Sequence, residues 1–497
     1  METVIEIFND IQKSEKAHKV GLKRLQSLMK ANKDVELTSI LSSCLDKVLV
    51  FPKNHANVER TIKFLSIFIA SLDETSMQVV TDHICSRLSS LNKLVRQRAC
   101  QLLAGALEEI CSNDCEISCD LLENLSEQIV VRLKDKIPAV RVWAIKAISR
   151  LQNPEDVEDK ATSEVIRLMN SDNSTPVRLA AVEHVSICDH SLGHLLSRLK
   201  DIKPEVRVAA FARVKEIPIA QLSIEARSDV IKTGLADRED KVRTEAKSLV
   251  MKWLASLNDS VSALLRQLNP IEWEEEAQLL AAFVMEELMS QDAHLGGNLR
   301  GSVKESFSKW NSGMKSITPT EILWVYTRCS YSKSFCSELI AADICEAILP
   351  DAIVLCNLIA EIKDDSTTLS SSSSSKREFV AKYLIKTSAL VDRADVSGVT
   401  KLLETFKTLL ADVNTPYDLI EPILNSYKVL NSYSDDTKPL VEEVLSISEA
   451  IKSDAAAAGG EEKGNEVDIE NEDDENETVD MNDARAERAL QVLHWKP

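Results

Sequence analysis

The chain has 497 residues and a formal net charge of −20, and its low numbers of glycine (12) and proline (13) predict long uninterrupted elements. Aromatic residues make up only 4%, so helices packed through aliphatic faces are favoured over sheets. An acidic N-terminus, an odd number of scattered cysteines (11) and the lack of a long apolar run argue against a secreted or membrane-spanning protein. They predict reduced thiols in a cytosolic or nuclear one.

Seven segments are predicted along the chain. They are 1–90 (N-terminal capping helices), 85–257 (clear helical repeats), 258–365 (divergent helical repeats), 366–376 (Ser-rich loop), 377–453 (helical repeats), 454–483 (acidic segment) and 484–497 (tail). The acidic segment includes residues 461–480, which carry eleven acids, one lysine and no aromatic residue. Such a composition cannot bury enough apolar surface to fold, so we predict disorder there.

One pattern recurs five times: Val-Arg, then Ala three residues after the Arg, then an aliphatic residue four further on. The copies are Val95-Arg96-Ala99-Leu103, Val140-Arg141-Ala144-Ile148, Val177-Arg178-Ala181-Val185, Val206-Arg207-Ala210-Val214 and Val242-Arg243-Ala246-Val250. The Val, the Ala and the aliphatic residue lie on one stripe of a helix. A single helix pair cannot bury that stripe, whereas stacked pairs can. The repeat therefore predicts an all-α HEAT-repeat α-solenoid, a curved superhelix.

The segment before each repeated helix also has a pattern. Four copies place an aspartate five residues before the valine, at Asp135, Asp172, Asp201 and Asp237, and three begin the helix near Pro138, Pro176 and Pro204. Proline costs no hydrogen bond in the first turn of a helix. The aspartate can cap exposed N–H groups or pair with the arginine of its own or the adjacent repeat. Each unit is thus predicted to be helix, tight turn, helix.

Residues 132–141 (RLKDKIPAVR), followed by Ala144, Ala147 and the SRLQNP motif at 149–154, closely resemble condensin complex subunit 3, the CAP-G family. Weaker echoes occur at Val58-Glu59-Arg60 with Phe64 and Phe68, at 95–102, at 171–178, at 234–238, at 318–321 with Trp324, and at 377–451. The resemblance covers nearly all of the chain that is predicted to be ordered. It is most specific at 132–154.

The resemblance implies a curved HEAT solenoid that binds the central segment of a CAP-H type kleisin subunit. Together the two would enclose double-stranded DNA in a basic groove, and the kleisin would link them to the SMC ATPase subunits. It also implies a role in mitotic and meiotic chromosome condensation, in the nucleus and on chromosomes, with cytoplasmic location in interphase. Family members continue into a second HEAT arm after an acidic insertion. We therefore expect an N-terminal half, from a truncated product or a partial gene model.

Basic side chains are distributed unevenly. Residues 1–253 hold 37 basic and 36 acidic residues, against 22 and 43 in the remainder, so the acidic overall charge does not argue against nucleic-acid binding by the first half. Three clusters are candidates for DNA contacts, the first of them on one face of the first helix. They are Lys13, Lys16, Lys19, Lys23 and Arg24; Arg60, Lys63, Lys93, Arg96 and Arg98; and the turn residues Lys134, Lys136, Lys200 and Lys203. Without interleaved aromatic residues, contact with the backbone of duplex DNA, independent of sequence, is predicted. Solvated faces and salt bridges within the repeats are the alternative interpretation.

Three Thr-Pro dipeptides, at Thr175, Thr318 and Thr415, are minimal proline-directed phosphorylation sites, and a phosphate there would add up to about two negative charges. No nucleophile with its base, no metal-ligand spacing and no Gly-rich phosphate loop is visible, so we expect no catalytic residues, no metal and no cofactor. A generic HEAT-repeat scaffold of the transport-receptor or phosphatase-adaptor type explains the repeat equally well, although not the 132–154 stretch.

Overall fold

The computed structural model describes residues 2–31, 35–51, 55–113, 117–295, 308–362, 371–412 and 415–431, with 445, 446 and 449. These residues form α-helices and short 3₁₀ helices, and no strand occurs among them. The predicted acidic segment 454–483 and the tail 484–497 lie outside the described residues. No described helix is both long and apolar enough to cross a lipid bilayer.

The chain divides into two compact units. The first unit comprises Met1–Gln221 and Ala236–Leu249, and the second comprises Leu222–Leu235 and the described residues from Val250 onwards. The helices up to residue 214 are α1 (Glu2–Ile11), α2 (His18–Ala31), α3 (Val35–Val50), α4 (Ala56–Ala70), α5 (Glu74–Leu88), α6 (Lys93–Ser112), α7 (Cys119–Arg132), α8 (Pro138–Ile148), α9 (Lys160–Ser171), α10 (Thr175–His184), α11 (Asp189–Ser197) and α12 (Pro204–Val214).

The first unit consists of stacked helix pairs in two layers. Helices α5, α7, α9 and α11 form one layer, and each packs against its partner in the second layer, α6, α8, α10 and α12. Successive helices of the second layer also pack on one another, and α4 extends that row before α6. The pair that carries the first copy of the repeat therefore starts at Glu74, before residue 85.

The repeated stripe forms the interior of this stack. The five valines of the pattern are at most 5% exposed, and the five alanines and the five aliphatic residues are each at most 1% exposed. Burying each valine or leucine side chain contributes roughly 1.5–3 kcal/mol relative to leaving it in water. The small alanine lets the neighbouring helix approach closely. The burial of this stripe agrees with the predicted HEAT-repeat solenoid fold.

The N-terminal segment forms two helices separated by a turn, and not the one helix that was predicted to carry the first basic cluster. Helix α1 ends at Ile11, a 3₁₀ turn spans Glu15–Ala17, and α2 begins at His18. The Ser14 hydroxyl caps the 3₁₀ turn by accepting from the Lys16 amide (3.2 Å), and the His18 ring lies 3.2 Å from the Ile11 carbonyl. The first basic cluster is thus divided between a turn and α2, and the prediction that it lies on one helix is wrong.

The second unit contains helices that lack the Val-Arg repeat, except for Val250, the last position of the fifth copy. They are α13 (Ile224–Leu235), the C-terminal part of α14 (Asp240–Ser256), α15 (Val261–Arg266), α16 (Glu274–Leu295), α17 (Pro319–Phe335), α18 (Glu338–Ile348), α19 (Ala352–Ala360), α20 (Ser371–Ser388), α21 (Val396–Ala411) and α22 (Ile420–Asn431). Helices α16, α17, α20 and α22 pack in succession, and the side chains of Tyr383, Phe406 and Tyr427 fill the interior between helices.

The predicted Ser-rich loop at 366–376 needs a correction at its C-terminal end. Helix α20 begins at Ser371, so residues 371–376 are helical, while 366–370 lie outside the described residues. Serine costs only a few tenths of a kcal/mol relative to alanine in a helix, and tertiary packing overrides that preference. Here the Ser374 hydroxyl donates to Glu378 (2.9 Å), and the next turns bury Phe379 and Tyr383.

Candidate nucleic-acid interface

The arginines and aspartates of the repeat form one continuous ladder in the first unit. The first four arginines each reach the turn aspartate of the following copy, in the pairs Arg96–Asp135 (2.7 Å), Arg141–Asp172 (2.8 Å), Arg178–Asp201 (2.9 Å) and Arg207–Asp237 (2.7 Å). The same guanidinium also donates to the main-chain carbonyl of the aspartate in its own turn, as in Arg141 to Asp135 (2.8 Å) and Arg178 to Asp172 (2.9 Å). Equivalent turns therefore lie side by side along one edge of the first unit.

The turn aspartates also take up a backbone N–H just before each repeated helix. Each carboxylate accepts the backbone N–H two residues further on, such as Ile137 for Asp135 and Lys203 for Asp201, both at 2.9 Å. Burial alone would raise the pKa of Asp135, but hydrogen bonds from Arg96 and the Ile137 amide, with the nearby arginine charges, hold the pKa below its ordinary value. Each aspartate therefore does both things predicted as alternatives: it accepts an otherwise exposed N–H of its own turn, and it pairs with the arginine of the adjacent repeat.

The turn lysines lie on the edge that the ladder defines. Lys134, Lys136, Lys200 and Lys203 are exposed, while the aspartates beside them are buried and paired. Lys134 contacts Glu164 at 2.7 Å, so its charge is partly neutralised. The ion pairs of the ladder neutralise the turn aspartates, so the exposed lysines determine the local charge of this edge. Such a row of cations can contact phosphates.

The first predicted basic cluster lies next to Arg60 and Lys63 of the second. The guanidinium of Arg60 on α4 donates to the carbonyls of Gln12 (2.7 Å) and Lys13 (3.2 Å), and the Lys63 ammonium lies 2.8 Å from Glu15. These contacts join α4 to the segment that carries Lys13 and Lys16, whose side chains are exposed, as are those of Lys19 and Lys23 on α2. Arg24 lies within 3.8 Å of carboxylates on α1.

The other three residues of the second predicted cluster, Lys93, Arg96 and Arg98, do not form one exposed surface. Arg98 is 2% exposed, and its guanidinium donates to the carbonyls of Val48 (2.8 Å) and Phe51, so it cannot reach a phosphate. Arg96 is committed to the ladder, with its side chain 14% exposed. Lys93, at the start of α6, is exposed. The assignment of Arg98 to a DNA-contacting surface is therefore wrong. It lies three residues after Val95, beside the apolar stripe.

The three threonines of the Thr-Pro dipeptides differ in accessibility. Thr415 is 7% exposed and its hydroxyl donates to the Leu409 carbonyl (2.8 Å), so its prediction as a phosphorylation site is wrong for the folded protein. Thr318 forms a capping box with Glu321 at the start of α17. Thr175 is half-buried at the first position of α10, where a phosphate would be favoured by the helix dipole. Phosphorylation of Thr175 stays a prediction.

One cysteine of the first unit lies next to an imidazole. The Cys188 thiol at the start of α11 is 3.3 Å from His190 Nδ1 and 3.3 Å from the Ser191 hydroxyl. That hydroxyl accepts from the Cys188 amide (3.0 Å), which makes it part of the cap of α11, and it donates to the Ser186 carbonyl (2.7 Å). Within the described part of the chain, no group of three or more His, Cys, Asp or Glu residues is arranged to hold a metal ion.

Sequence reasoning did not identify a second group of cations in the first unit. Lys146 on α8, Arg150 in the turn that follows α8 and Arg213 on α12 line one groove with His184 of α10. The pKa of His184 is lowered by burial and by the charges of Lys146, Arg213 and Arg150. These residues come from three separate helices and one turn, so only the layer arrangement could have shown that they meet.

No family model matches the sequence. The chain is 27% identical to condensin complex subunit 3 of Xenopus laevis over 470 residues, covering 89% of this chain and 45% of that protein. It is 26% identical to condensin complex subunit 3 of Homo sapiens over 430 residues, covering 81% and 41%. The chain thus spans about half the length of the curated relatives it matches. The predicted resemblance to condensin complex subunit 3 is confirmed.

A solved structure matches the fold. The crystal structure of the S. pombe condensin Cnd3–Cnd2 subcomplex aligns with a TM-score of 0.76 at 21% identity, over 99% of this chain and 59% of the matched chain. At this identity the match concerns the fold alone. It confirms the all-α HEAT-repeat solenoid that the Val-Arg repeat predicts.

Proposed function

We propose that this chain acts as a non-SMC regulatory subunit of condensin, and that it works by binding rather than by catalysis. The observation that carries the proposal is the fold match to the Cnd3–Cnd2 subcomplex over 99% of the chain. The similarity to condensin complex subunit 3 over 89% of the chain supports it independently. The corresponding role is support of mitotic and meiotic chromosome condensation, in the nucleus and on chromosomes, with cytoplasmic location in interphase.

The first proposed partner is a kleisin subunit of the CAP-H type. Its support is that the matched structure is a subcomplex of two condensin subunits, Cnd3 and Cnd2. Through the kleisin the chain would be linked to the SMC ATPase subunits. A stacked-helix scaffold suits this role because its long surfaces are built from repeated, rigid helix pairs.

The second proposed partner is double-stranded DNA, bound without sequence specificity. The support is the edge of the first unit, where Lys136, Lys200 and Lys203 are exposed beside aspartates that the ladder neutralises. The segment with Lys13 and Lys16 adds a further exposed group. Lysines of this kind bind phosphates as point charges, so affinity depends on salt and not on base sequence.

A duplex-binding experiment tests the proposal. Anisotropy of a short fluorescent duplex is measured across a salt series, with the full chain alone and with the central segment of a kleisin. Salt-sensitive binding that requires the kleisin segment is the expected result. A stable kleisin complex that binds no duplex removes the DNA-binding part. Failure to bind either partner leaves only the generic scaffold.

A matched pair of variants locates the DNA contact. Lys136→Glu combined with Lys203→Glu should weaken duplex binding and reduce the slope of log K against log salt by about 2, since each phosphate contact contributes about 0.9. Lys401→Glu, an exposed lysine of α21 in the second unit, is the single-site control and should leave the slope unchanged. An unchanged slope in the double variant would place the contact elsewhere.

A further inference from the structure

A groove crosses the second-layer helices of the first unit, apart from the ladder edge. It has a cavity volume of about 780 Å³ and is lined by side chains from α4, α6, α8, α10 and α12. Its floor includes the small residues Ser66, Ala104 and Gly105. Helices α4 and α6 approach so closely there that a Cβ on Gly105 would lie 2.4 Å from the Ser66 hydroxyl.

One end of the groove is basic. Lys146 and Arg150 form no ion pair with any described residue, and the Lys146 ammonium lies 5.0 Å from the centre of the half-exposed Trp143 ring. Arg213 is held in place by the Val185 carbonyl (2.8 Å) and Glu216. Three cations therefore lie around the half-buried His184 ring. Their charges are only partly offset, by Glu216, which pairs with Arg213, by Glu183, which also lines the groove, and by Glu108, whose charge reaches His184.

The other end of the groove is acidic. Glu59 on α4 and Glu108 and Glu109 on α6 line it, and Glu59 is fixed by the Gln101 amide at 2.7 Å. Lys63 lies at the same end, but its ammonium is engaged by Glu15 at 2.8 Å. The groove thus has opposite charges at its two ends, with an aromatic ring and small residues between them.

We propose that this groove binds an extended segment of a partner protein, with an anionic side chain against Lys146 and Arg150 and a basic side chain against Glu59 and Glu108. The five helices of the row, spaced 8–10 Å apart, span roughly 40 Å. An extended strand covers that length with about twelve residues. Duplex DNA fits poorly, because its continuous phosphates would face the three carboxylates of the acidic end. Neither kleisin binding nor DNA binding is a premise of this inference.

The probe is a fluorescein-labelled peptide of about twelve residues, with glutamates at one end, apolar residues in the middle and lysines at the other. An extended peptide can lie in either chain direction, so its glutamates can meet Arg150 whichever direction it adopts. The full chain should bind this peptide, and a peptide of the same composition with alternating charges should bind roughly tenfold more weakly, because like charges then face each other.

Two variants and a control assign the site. Arg150→Glu should weaken the peptide roughly tenfold, since a charge-assisted contact becomes a repulsion, whereas Lys160→Glu on α9, outside the groove, should have no effect. Arg150 is exposed and unpaired, so the fold does not depend on it. The double variant Arg150→Glu with Glu108→Lys should regain part of the lost affinity by binding the peptide the other way round.

Histidine resonances give an independent readout. Binding of the peptide should raise the pKa of His184, because an anionic side chain offsets the charges of Lys146, Arg213 and Arg150. Three results would overturn the inference: no peptide binding at millimolar concentration, equal binding by the Arg150→Glu variant, or an Arg150→Glu effect on duplex affinity with none on the peptide.

Discussion

The two units stabilise their helix stacks in different ways. In the first unit one ion pair recurs at every junction from Arg96–Asp135 to Arg207–Asp237, and each aspartate both accepts a backbone N–H of its own turn and binds the preceding copy. In the second unit the polar contacts differ from one junction to the next: Glu274 of α16 accepts from Lys382 (2.8 Å) and Tyr383 (2.9 Å) of α20, and Lys232 of α13 pairs with Glu276 of α16 (3.0 Å). A repeated contact spreads stability along a stack, whereas contacts that do not repeat stabilise each junction separately.

The largest expected effect comes from breaking one step of the ladder. Asp201→Ala removes the carboxylate that binds Arg178 and the Lys203 amide, and it leaves a guanidinium that is 12% exposed without its partner. Because removal of one member of a buried pair is costly, we expect unfolding of the first unit to become easier by about 3 kcal/mol. Urea unfolding measures the change in the free energy of unfolding. Hydrogen exchange should show lost protection in α10 and α12 but not in α20.

The control for this variant is Glu127→Ala, at an exposed position of α7. It should change the free energy of unfolding by less than about 0.5 kcal/mol. If Asp201→Ala costs no more than Glu127→Ala, the ladder orders the turns without stabilising them.

Acid should weaken the ladder. Burial would raise the pKa of Asp201, but hydrogen bonds from Arg178 and the Lys203 amide, with the charges of Arg178 and Arg198, hold the pKa below its ordinary value. A carboxyl whose pKa is lower in the folded state contributes stability that is complete above the unfolded value, about 3.9, and is lost as pH falls through the folded value. The same sign applies to Asp135 and Asp237.

Asp201→Asn isolates this contribution, because the amide keeps its size and can still accept from the Lys203 N–H. The difference in unfolding free energy between wild type and variant should be constant near neutral pH and shrink below about pH 4. Urea unfolding over that range measures it. A difference that persists undiminished in acid would mean that the carboxylate charge contributes nothing to the ladder.

The ladder could be predicted from the sequence because its members keep fixed spacings within a repeat, and stacking brings equivalent positions together. The prolines that start helices, such as Pro138 and Pro204, could be predicted for the same reason. Arg98 was misplaced because a Val-Arg-x-Arg string resembles a basic patch, although a position three residues after Val95 falls beside the buried stripe. The groove cations Lys146 and Arg213 are 67 residues apart in the sequence, and no local pattern links them. Likewise, Glu274 meets Tyr383 across 109 residues.

The smallest expected effect tests the Glu274 cluster of the second unit. Tyr383→Phe removes a hydroxyl that donates to Glu274, but that carboxylate keeps Lys382 at 2.8 Å and Lys386 at 3.7 Å. Because no buried charge is left without a partner, we expect a cost of about 1 kcal/mol, measured by urea unfolding, with lost exchange protection in α16 and α20. Tyr417→Phe, at a tyrosine that is 67% exposed, should have no effect. A cost for Tyr383→Phe equal to that of Asp201→Ala would show that a single cluster can secure its junction as strongly as a ladder step does.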